Sequence, residues 1–337
     1  MQIFAAPKRI GLAPPQRIFD LISREMNFVE EEFERQARSN IRVINYLGDY
    51  LRASGGKRVR PALLVLSAHA TGGNGGSEAA IRLATVMEML HTATLVHDDI
   101  IDNADKRRNR TSINAKFGNQ AAVLMGDWLY MSAFETSLKE RSLEILDILT
   151  NLTRKMTEGE LIQLTMLGNA AITRDEYFDI LRRKTAYLFS GCCEIGSILG
   201  SARNEEQIAL RDYGMNLGIA FQLADDLLDF TADEHSLGKA SGADLLEGKV
   251  TLPLIMLQER FPAVREELEQ VMYDGAYDEV TRDSVFEKLM KYGVLEEVRR
   301  TARSFAEAAR KNLEILPQTE YRFALDAIPN FVIDRNN

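Results

Sequence analysis

The sequence is short of the residues that would place it in several large classes of protein. Its 337 residues include two cysteines, Cys192 and Cys193. Neighbours in the chain, they are poorly placed for an ordinary disulfide, so no oxidised framework is expected. No apolar run approaches the ~18–20 residues that span a bilayer. The opening Met-Gln-Ile-Phe-Ala-Ala-Pro-Lys lacks the apolar stretch of a secretory signal. An excess of cations is missing too: 41 Lys and Arg face 50 Asp and Glu, a net charge of −9, which argues against nucleic acid as a partner. A reducing, cytoplasmic setting is the expectation. What is present is ordinary globular material, 45% apolar and 27% charged, enough for a sizeable core.

Proline is absent over the whole stretch between Pro61 and Pro253. Because proline breaks helix interiors, so long a gap suits a series of long helices. Strand signals are weak: Asn74-Gly75 and Asp274-Gly275 do not sit between alternating apolar runs. From Ala79 to Asp99 apolar residues cover most of a helical cylinder, the mark of a buried central helix. Similar patterns run over 121–138, 144–167, 174–199 and 205–229, with breaks at the loop 72–76, Gly118 and Gly168. From about Asp278 to Arg335 the chain reads as shorter amphipathic helices, and the first fifteen residues read as extended or frayed. The expected architecture is all-α: one large helical domain over 19–337, preceded by an extension, 1–18.

Two acidic clusters share one pattern. Asp98-Asp99-Ile100-Ile101-Asp102 and Asp225-Asp226-Leu227-Leu228-Asp229 both read Asp-Asp-x-x-Asp. In a helix, positions i and i+4 share a face, so Asp98 stacks on Asp102 and Asp225 on Asp229, ~5.4 Å apart. Each cluster follows an apolar helical segment and ends it, where the macrodipole disfavours anions, and like charges one turn apart repel. An arrangement costly in both respects suggests a bound cation rather than a solvated acidic surface. An all-oxygen cage suits Mg²⁺, which takes one or two carboxylates and completes its shell with water and phosphate oxygens.

Basic residues accompany both clusters. Gly55-Gly56-Lys57-Arg58-Val59-Arg60-Pro61 places three cations after a glycine pair and before a predicted helix, a setting that favours anions, although alone it reads equally as a solvated turn. Arg107-Arg108 follows the first cluster, and Lys184-Thr185 lies in the predicted helix 174–199. Gln222 precedes the second cluster, and Lys239 and Lys249 flank the loop after it. Carboxylates and cations alternating around one place fit a Mg-diphosphate, with inner oxygens on metal and outer oxygens on Lys and Arg.

These motifs, with Gly238-Lys239 and Gly242-x-Asp244-Leu245-x-Glu247-Gly248-Lys249-x-Thr251-Leu252-Pro253, resemble the trans-isoprenyl diphosphate synthases over roughly residues 20–335, and most of all their long-chain, bacterial octaprenyl type. The resemblance implies an all-α bundle around a deep central cavity, a homodimer, and a Mg²⁺-dependent prenyltransferase that joins isopentenyl diphosphate to an allylic diphosphate such as geranyl or farnesyl diphosphate. It implies that Asp98, Asp102 and Asp225 ligate Mg²⁺, with Asp226 and Asp229 acting through water or as supports. Lys57, Arg60, His91 and Arg108 would hold isopentenyl diphosphate, and Arg107, Lys184, Thr185, Gln222, Lys239 and Lys249 the allylic diphosphate. One departure is Asn109-Arg110, where Gly-Lys is commoner.

Product length follows from the helix before the first cluster. Family members that stop at short chains resemble one another in carrying an aromatic four or five residues before the first aspartate; here those positions are Thr94 and Ala93. Thr94 and Leu90 share a stripe with Asp98, and a shaft running back to Val86 would be ~18 Å deep, with Phe134 as a candidate floor. Plain core packing is the other reading of these residues. The expectation is a C35–C50 product, C40 foremost, for a quinone side chain. Three rival readings make different demands on the sequence. A class I terpene cyclase typically carries an Asn/Asp-Ser/Thr-Glu pattern at its second metal site. A di-iron bundle needs a second Glu-x-x-His beside Glu88–His91. A non-catalytic regulatory subunit of the same fold would be expected to lack one of the motifs.

Overall fold

The computed structural model describes residues 15–53, 55–107, 110–231, 242–278 and 280–333. The N-terminal segment, Arg108 and Lys239 therefore lie outside the described residues. Short and medium helices open the chain: α1 (Pro15–Leu21), α2 (Ser23–Gln36), α3 (Arg42–Arg52) and α4 (Val59–Ala70). The predicted central helix is α5 (Glu78–Ile101), started by the Ser77 hydroxyl, which accepts from the Ala80 amide at 3.2 Å. By length and composition α5 is apolar enough to cross a membrane, contrary to the sequence expectation, but 67% of that stretch is buried within the protein. A fully apolar cylinder is what a helix surrounded by other helices requires.

After α5 a two-residue antiparallel pairing, β1 (Lys106–Arg107) with β2 (Arg110–Thr111), interrupts the helices. So short a ladder has no alternating pattern to betray it. It leads into α6 (Ile113–Phe117), α7 (Asn119–Ser137) and α8 (Leu143–Met166). Gly118 and Gly168, the predicted breaks, both have positive φ, +87° and +74°.

The predicted helix 174–199 is not continuous. It divides into α9 (Arg174–Leu181), a π-helical turn (Arg182–Ala186) and α10 (Tyr187–Leu199). The turn is wedged between two close neighbours: a Cβ on Gly159 of α8 would lie 2.7 Å from the Arg183 Cβ, and one on Gly218 would lie 2.6 Å from the Ala186 Cα. The turn contains neither glycine nor proline, so no local breaker marks the interruption and the sequence reads as a single rod.

Gly218 belongs to α11 (Asn204–Thr231), which ends in the second acidic cluster. Its first half packs into an apolar cluster with α4, α5 and α10, and its second half into another with α9 and the helices that follow. Those are α12 (Ala243–Leu246), α13 (Leu252–Arg260), α14 (Val264–Asp274), α15 (Arg282–Lys291) and α16 (Val294–Asn312). The last helix, α17 (Glu320–Ile333), returns to α4 and α11; the Tyr213 hydroxyl, fully buried, donates to the Leu325 carbonyl at 2.7 Å. The protein is thus all-α, and its two acidic motifs sit at the C-terminal ends of its two long core helices, α5 and α11.

The close approach at the π-turn makes a signed prediction. Gly→Ala inside an ordinary helix stabilises by about 1 kcal/mol. Gly218→Ala should instead lower unfolding stability by about 1–3 kcal/mol through overpacking, read from urea unfolding midpoints. A gain would show that α11 is not pressed against Ala186.

Candidate active site

At the end of α5, Asp98 and Asp102 share a face, as their spacing requires. Burial pushes the Asp98 carboxyl up to about 6; Glu160 and Asp102 nearby add to this, while Lys184 and Arg107 oppose it. Asp99 faces another way. Buried, it takes the Arg107 Nε at 2.7 Å, and so anchors the strand that follows. Asn114 completes the anchor: its Nδ2 donates to the Asp99 carbonyl at 3.0 Å and to the Ala104 carbonyl at 3.2 Å.

At the end of α11 the three aspartates of the second motif are not equivalent. Asp225 is half-buried, and Asp226 and Asp229 are buried. Asp226 accepts from the Tyr177 hydroxyl in a short hydrogen bond and from the Gln222 Nε2 at 3.0 Å. Burial pushes its carboxyl up to about 8, with Asp244 and Asp225 adding and these two donors opposing. The Asp229 Oδ1 accepts from the Ala243 amide at 3.2 Å, and its carbonyl from the Gly242 amide at 2.7 Å. Both residues therefore spend carboxylate oxygens on groups of the protein itself.

Two lysines link the motifs. Lys184, in the π-turn, pairs with Glu160 at 2.7 Å and donates to the Gln163 Oε1 at 3.2 Å. It borders two cavities at once. One, about 130 Å³, lies beneath Asp98 and is bordered by Thr94, Ile101, Tyr130 and Met156. The other, about 160 Å³, is bordered by Tyr177, Thr185, Gln222, Asp226 and Lys249. Lys249, from the loop after the second motif, bonds the first: its Nζ lies 3.0 Å from Asp102 Oδ1 and 2.7 Å from Glu247 Oε2. That loop is held against the end of α8, where the Gly168 amide donates to the Gly248 carbonyl at 2.9 Å. Thr185 Oγ1 donates to Gln222 Oε1 at 3.0 Å, so Thr185, Gln222, Asp226 and Tyr177 form one polar chain.

On the other flank, Arg60 in the first turn of α4 places Nη1 3.0 Å from the His91 Nε2 and lies over the Phe189 ring at 4.8 Å. Lys57 is exposed beside it. The tunnel residues separate into two groups. Thr94 borders the cavity beneath Asp98, but Ala93 and Leu90 have no accessible surface and Val86 only 1%, so the stripe down α5 is packed core and not an open shaft. Phe134 is half-buried against the same core. Close packing by α4 and α7 against α5 fills the space that the spacing along α5 leaves free.

The donor set fits a hard cation. It consists of carboxylate oxygens, and the Lys249 ammonium resting on Asp102 marks a place where positive charge is favoured. Among the described residues no three His, Cys, Asp or Glu side chains converge closely enough to hold an ion alone. An ion here would share its shell with water and phosphate oxygens, as Mg²⁺ commonly does. Asp99, Tyr177, Glu160 and Gln163 escaped the sequence reading, since their roles depend on partners from other helices. Glu88, tested there as an iron ligand, instead pairs with Arg58.

Comparison with known proteins places this geometry among relatives. Residues 41–289 match the family model for polyprenyl synthetase. The chain is 37% identical over 321 residues to octaprenyl diphosphate synthase of Escherichia coli, an alignment covering 95% of this chain and 99% of that one. It is 33% identical to a short chain isoprenyl diphosphate synthase of Methanothermobacter thermautotrophicus, covering 95% and 99%. A polyprenyl synthase from Caulobacter crescentus, solved with calcium and isoprenyl diphosphate, superposes with a TM-score of 0.90 at 33% identity, covering 97% of this chain and 100% of that one.

The half-buried Asp98 carboxyl carries a stability cost that can be measured. Because its pKa is raised from 3.8 to about 6, the cost is absent below pH 3.8, grows through about 6, and is full above that. Asp98→Asn in EDTA at pH 8 should therefore be as stable as the parent or more stable, by up to about 1–3 kcal/mol, while losing turnover in Mg²⁺. Marked unfolding of the variant in guanidinium titrations would mean that the carboxylate serves the fold.

Proposed function

This chain belongs to the polyprenyl synthetase family and is a prenyltransferase, and from that premise we propose that it condenses isopentenyl diphosphate head-to-tail with geranyl or farnesyl diphosphate. We assign it a C35–C50 product, C40 foremost, destined for a quinone side chain. The observation that carries the proposal is the meeting of the two aspartate motifs across Lys184 and Lys249.

In this reading Asp98, Asp102 and Asp225 hold Mg²⁺, with Asp226 and Asp229 behind them. The ion, when bound, stabilises the negative charge that grows on the departing diphosphate. Arg107, Lys184 and Lys249 do the same from the protein, joined by Thr185 and Gln222 as hydrogen-bonding groups and by Lys239 from the loop outside the described residues. The polar chain from Tyr177 through Asp226 to Gln222 and Thr185 fixes those last two groups before substrate arrives, which lowers the cost of reorganisation. Lys57, Arg60, His91 and Arg108 hold isopentenyl diphosphate on the opposite flank. The allylic C–O bond breaks, the double bond of isopentenyl diphosphate attacks the allylic carbon, and a proton leaves to the departing diphosphate. No side chain of the site stands out as its acceptor.

Three further parts of the proposal rest on exposure and burial. A homodimer agrees with apolar residues facing outwards on α7 and α8: Leu124 is 68% exposed, Met131 63% and Leu143 78%. A cytoplasmic setting agrees with the unpaired, buried thiols of Cys192 and Cys193. Long products agree with the absence of an aromatic at Ala93 and Thr94. The cavity beneath Asp98, about 130 Å³, is small beside a polyprenyl chain, so in this reading the packing around α5 loosens as the chain grows.

Product analysis tests the whole reading. Purified chain with Mg²⁺, farnesyl diphosphate and radiolabelled isopentenyl diphosphate should give label in C35–C50 polyprenols, and Thr94→Phe should shift it to shorter ones. A main labelled species of C20 from the parent would overturn the length assignment. No extractable label at all would favour a regulatory subunit.

A further inference from the structure

Of the three cations in Gly55–Pro61, the reading above uses two, Lys57 and Arg60. The third, Arg58, points elsewhere. It stands immediately before α4 in the left-handed region, with φ +50° and ψ 33°, a conformation that a non-glycine residue adopts only when its surroundings impose it. Its guanidinium is largely buried and is held by two carboxylates from two other helices. Nη1 donates to Glu88 Oε1 of α5 at 2.7 Å; Nη2 donates to Glu30 Oε2 of α2 at 3.1 Å, and Nε donates to Glu30 Oε1. The aromatic face of Phe33, also on α2, lies 5.7 Å beneath it.

Glu88 is the informative partner. It is nearly fully buried, and it lies on the same helix as the first acidic motif, one turn before His91, the residue that meets Arg60. A buried carboxylate without its cation is costly, so the pair is strongly favoured as a unit. From Glu88 to Asp98 is ten residues of continuous helix, or ~15 Å of rigid rod. Arg58 therefore connects the segment carrying Lys57 and Arg60 to the rod that carries His91, Asp98 and Asp102.

We propose that Arg58 is a positioning residue for isopentenyl diphosphate: its clamp on Glu88 and Glu30 fixes the left-handed turn that sets Lys57 and Arg60 in register with His91 and the aspartate helix. Arg58 touches no substrate. It acts through the placement of groups that do, so its loss should weaken one substrate and spare the other. The inference rests on the assignment of Lys57, Arg60 and His91 to isopentenyl diphosphate.

Steady-state kinetics in both substrates, with thermal melts on the same preparations, test it in Arg58→Met, Arg58→Gly, Arg58→Lys and Glu88→Gln. Met and Gly at position 58 should raise the KM for isopentenyl diphosphate about tenfold, Lys and the Glu88 variant less, with kcat and the KM for farnesyl diphosphate changed by no more than about twofold. The glycine variant separates clamp from backbone, since glycine accepts positive φ without strain. A parental KM in Arg58→Gly would overturn the proposal, as would an equal rise for both substrates. If Arg58→Met melts below the assay temperature, the lysine and Glu88 variants decide by the same criterion. A parent chain that consumes no isopentenyl diphosphate would overturn the assignment of the site itself; a parent that does, with Arg58→Gly unchanged, would overturn the positioning role alone.

Discussion

The molecule is organised around mutual repulsion among carboxylates that packing has drawn together. Asp98, Asp102 and Glu160 crowd one side of the Lys184 wall, and Asp225, Asp226 and Asp244 the other. In a partly desolvated setting such charges raise one another's proton affinity, and the cluster is tolerable only with cations threaded through it. Those cations come from three separate places: Arg107 from the short strand β1 after α5, Lys184 from the π-turn, and Lys249 from the loop after α12. A site strained in this way is already complementary to a ligand that brings both positive metal and negative phosphate.

The irregular elements supply those cations. A straight α-helix over 174–199 would present its residues at a fixed 100° spacing; the π-turn adds a residue and redirects Lys184 and Thr185 towards the space between the motifs. Gly159 and Gly218 let α8 and α11 close on the turn from both sides. The loop carrying Lys249 is tied down through Asp229 at one end and through the Gly168–Gly248 contact at the other. Regular helices thus hold the aspartates, and departures from regularity hold the groups that answer them.

Within each motif, adjacent residues serve different purposes. Asp98 borders a cavity and Asp102 accepts from Lys249, while Asp99 anchors Arg107; Asp226 supports a hydrogen-bond chain while Asp229 fastens a loop. The same division holds in Gly55–Pro61, where Arg58 faces inward to Glu88 and Glu30 and Lys57 faces outward. In the two aspartate motifs helical geometry explains the division, since neighbours along a helix are 100° apart; before α4 the left-handed turn at Arg58 does the same.

Much of this was legible in the sequence. The absence of proline, the apolar cylinder of α5, the one-turn spacing of the aspartates and the presence of cations near each motif are local facts, and local geometry fixes their consequences. The approximate extents of the helices over 79–99, 121–138, 144–167 and 205–229, the shared face of Asp98 and Asp102, and the all-α class followed from them. What tertiary structure alone decided is which cation meets which carboxylate, that Tyr177 and Glu160 belong to the site, that Leu90 and Val86 are packed core, and that 174–199 is broken by a π-turn. These depend on distances between helices far apart in the chain, set by how side chains interdigitate, and no spacing along a single helix contains that information.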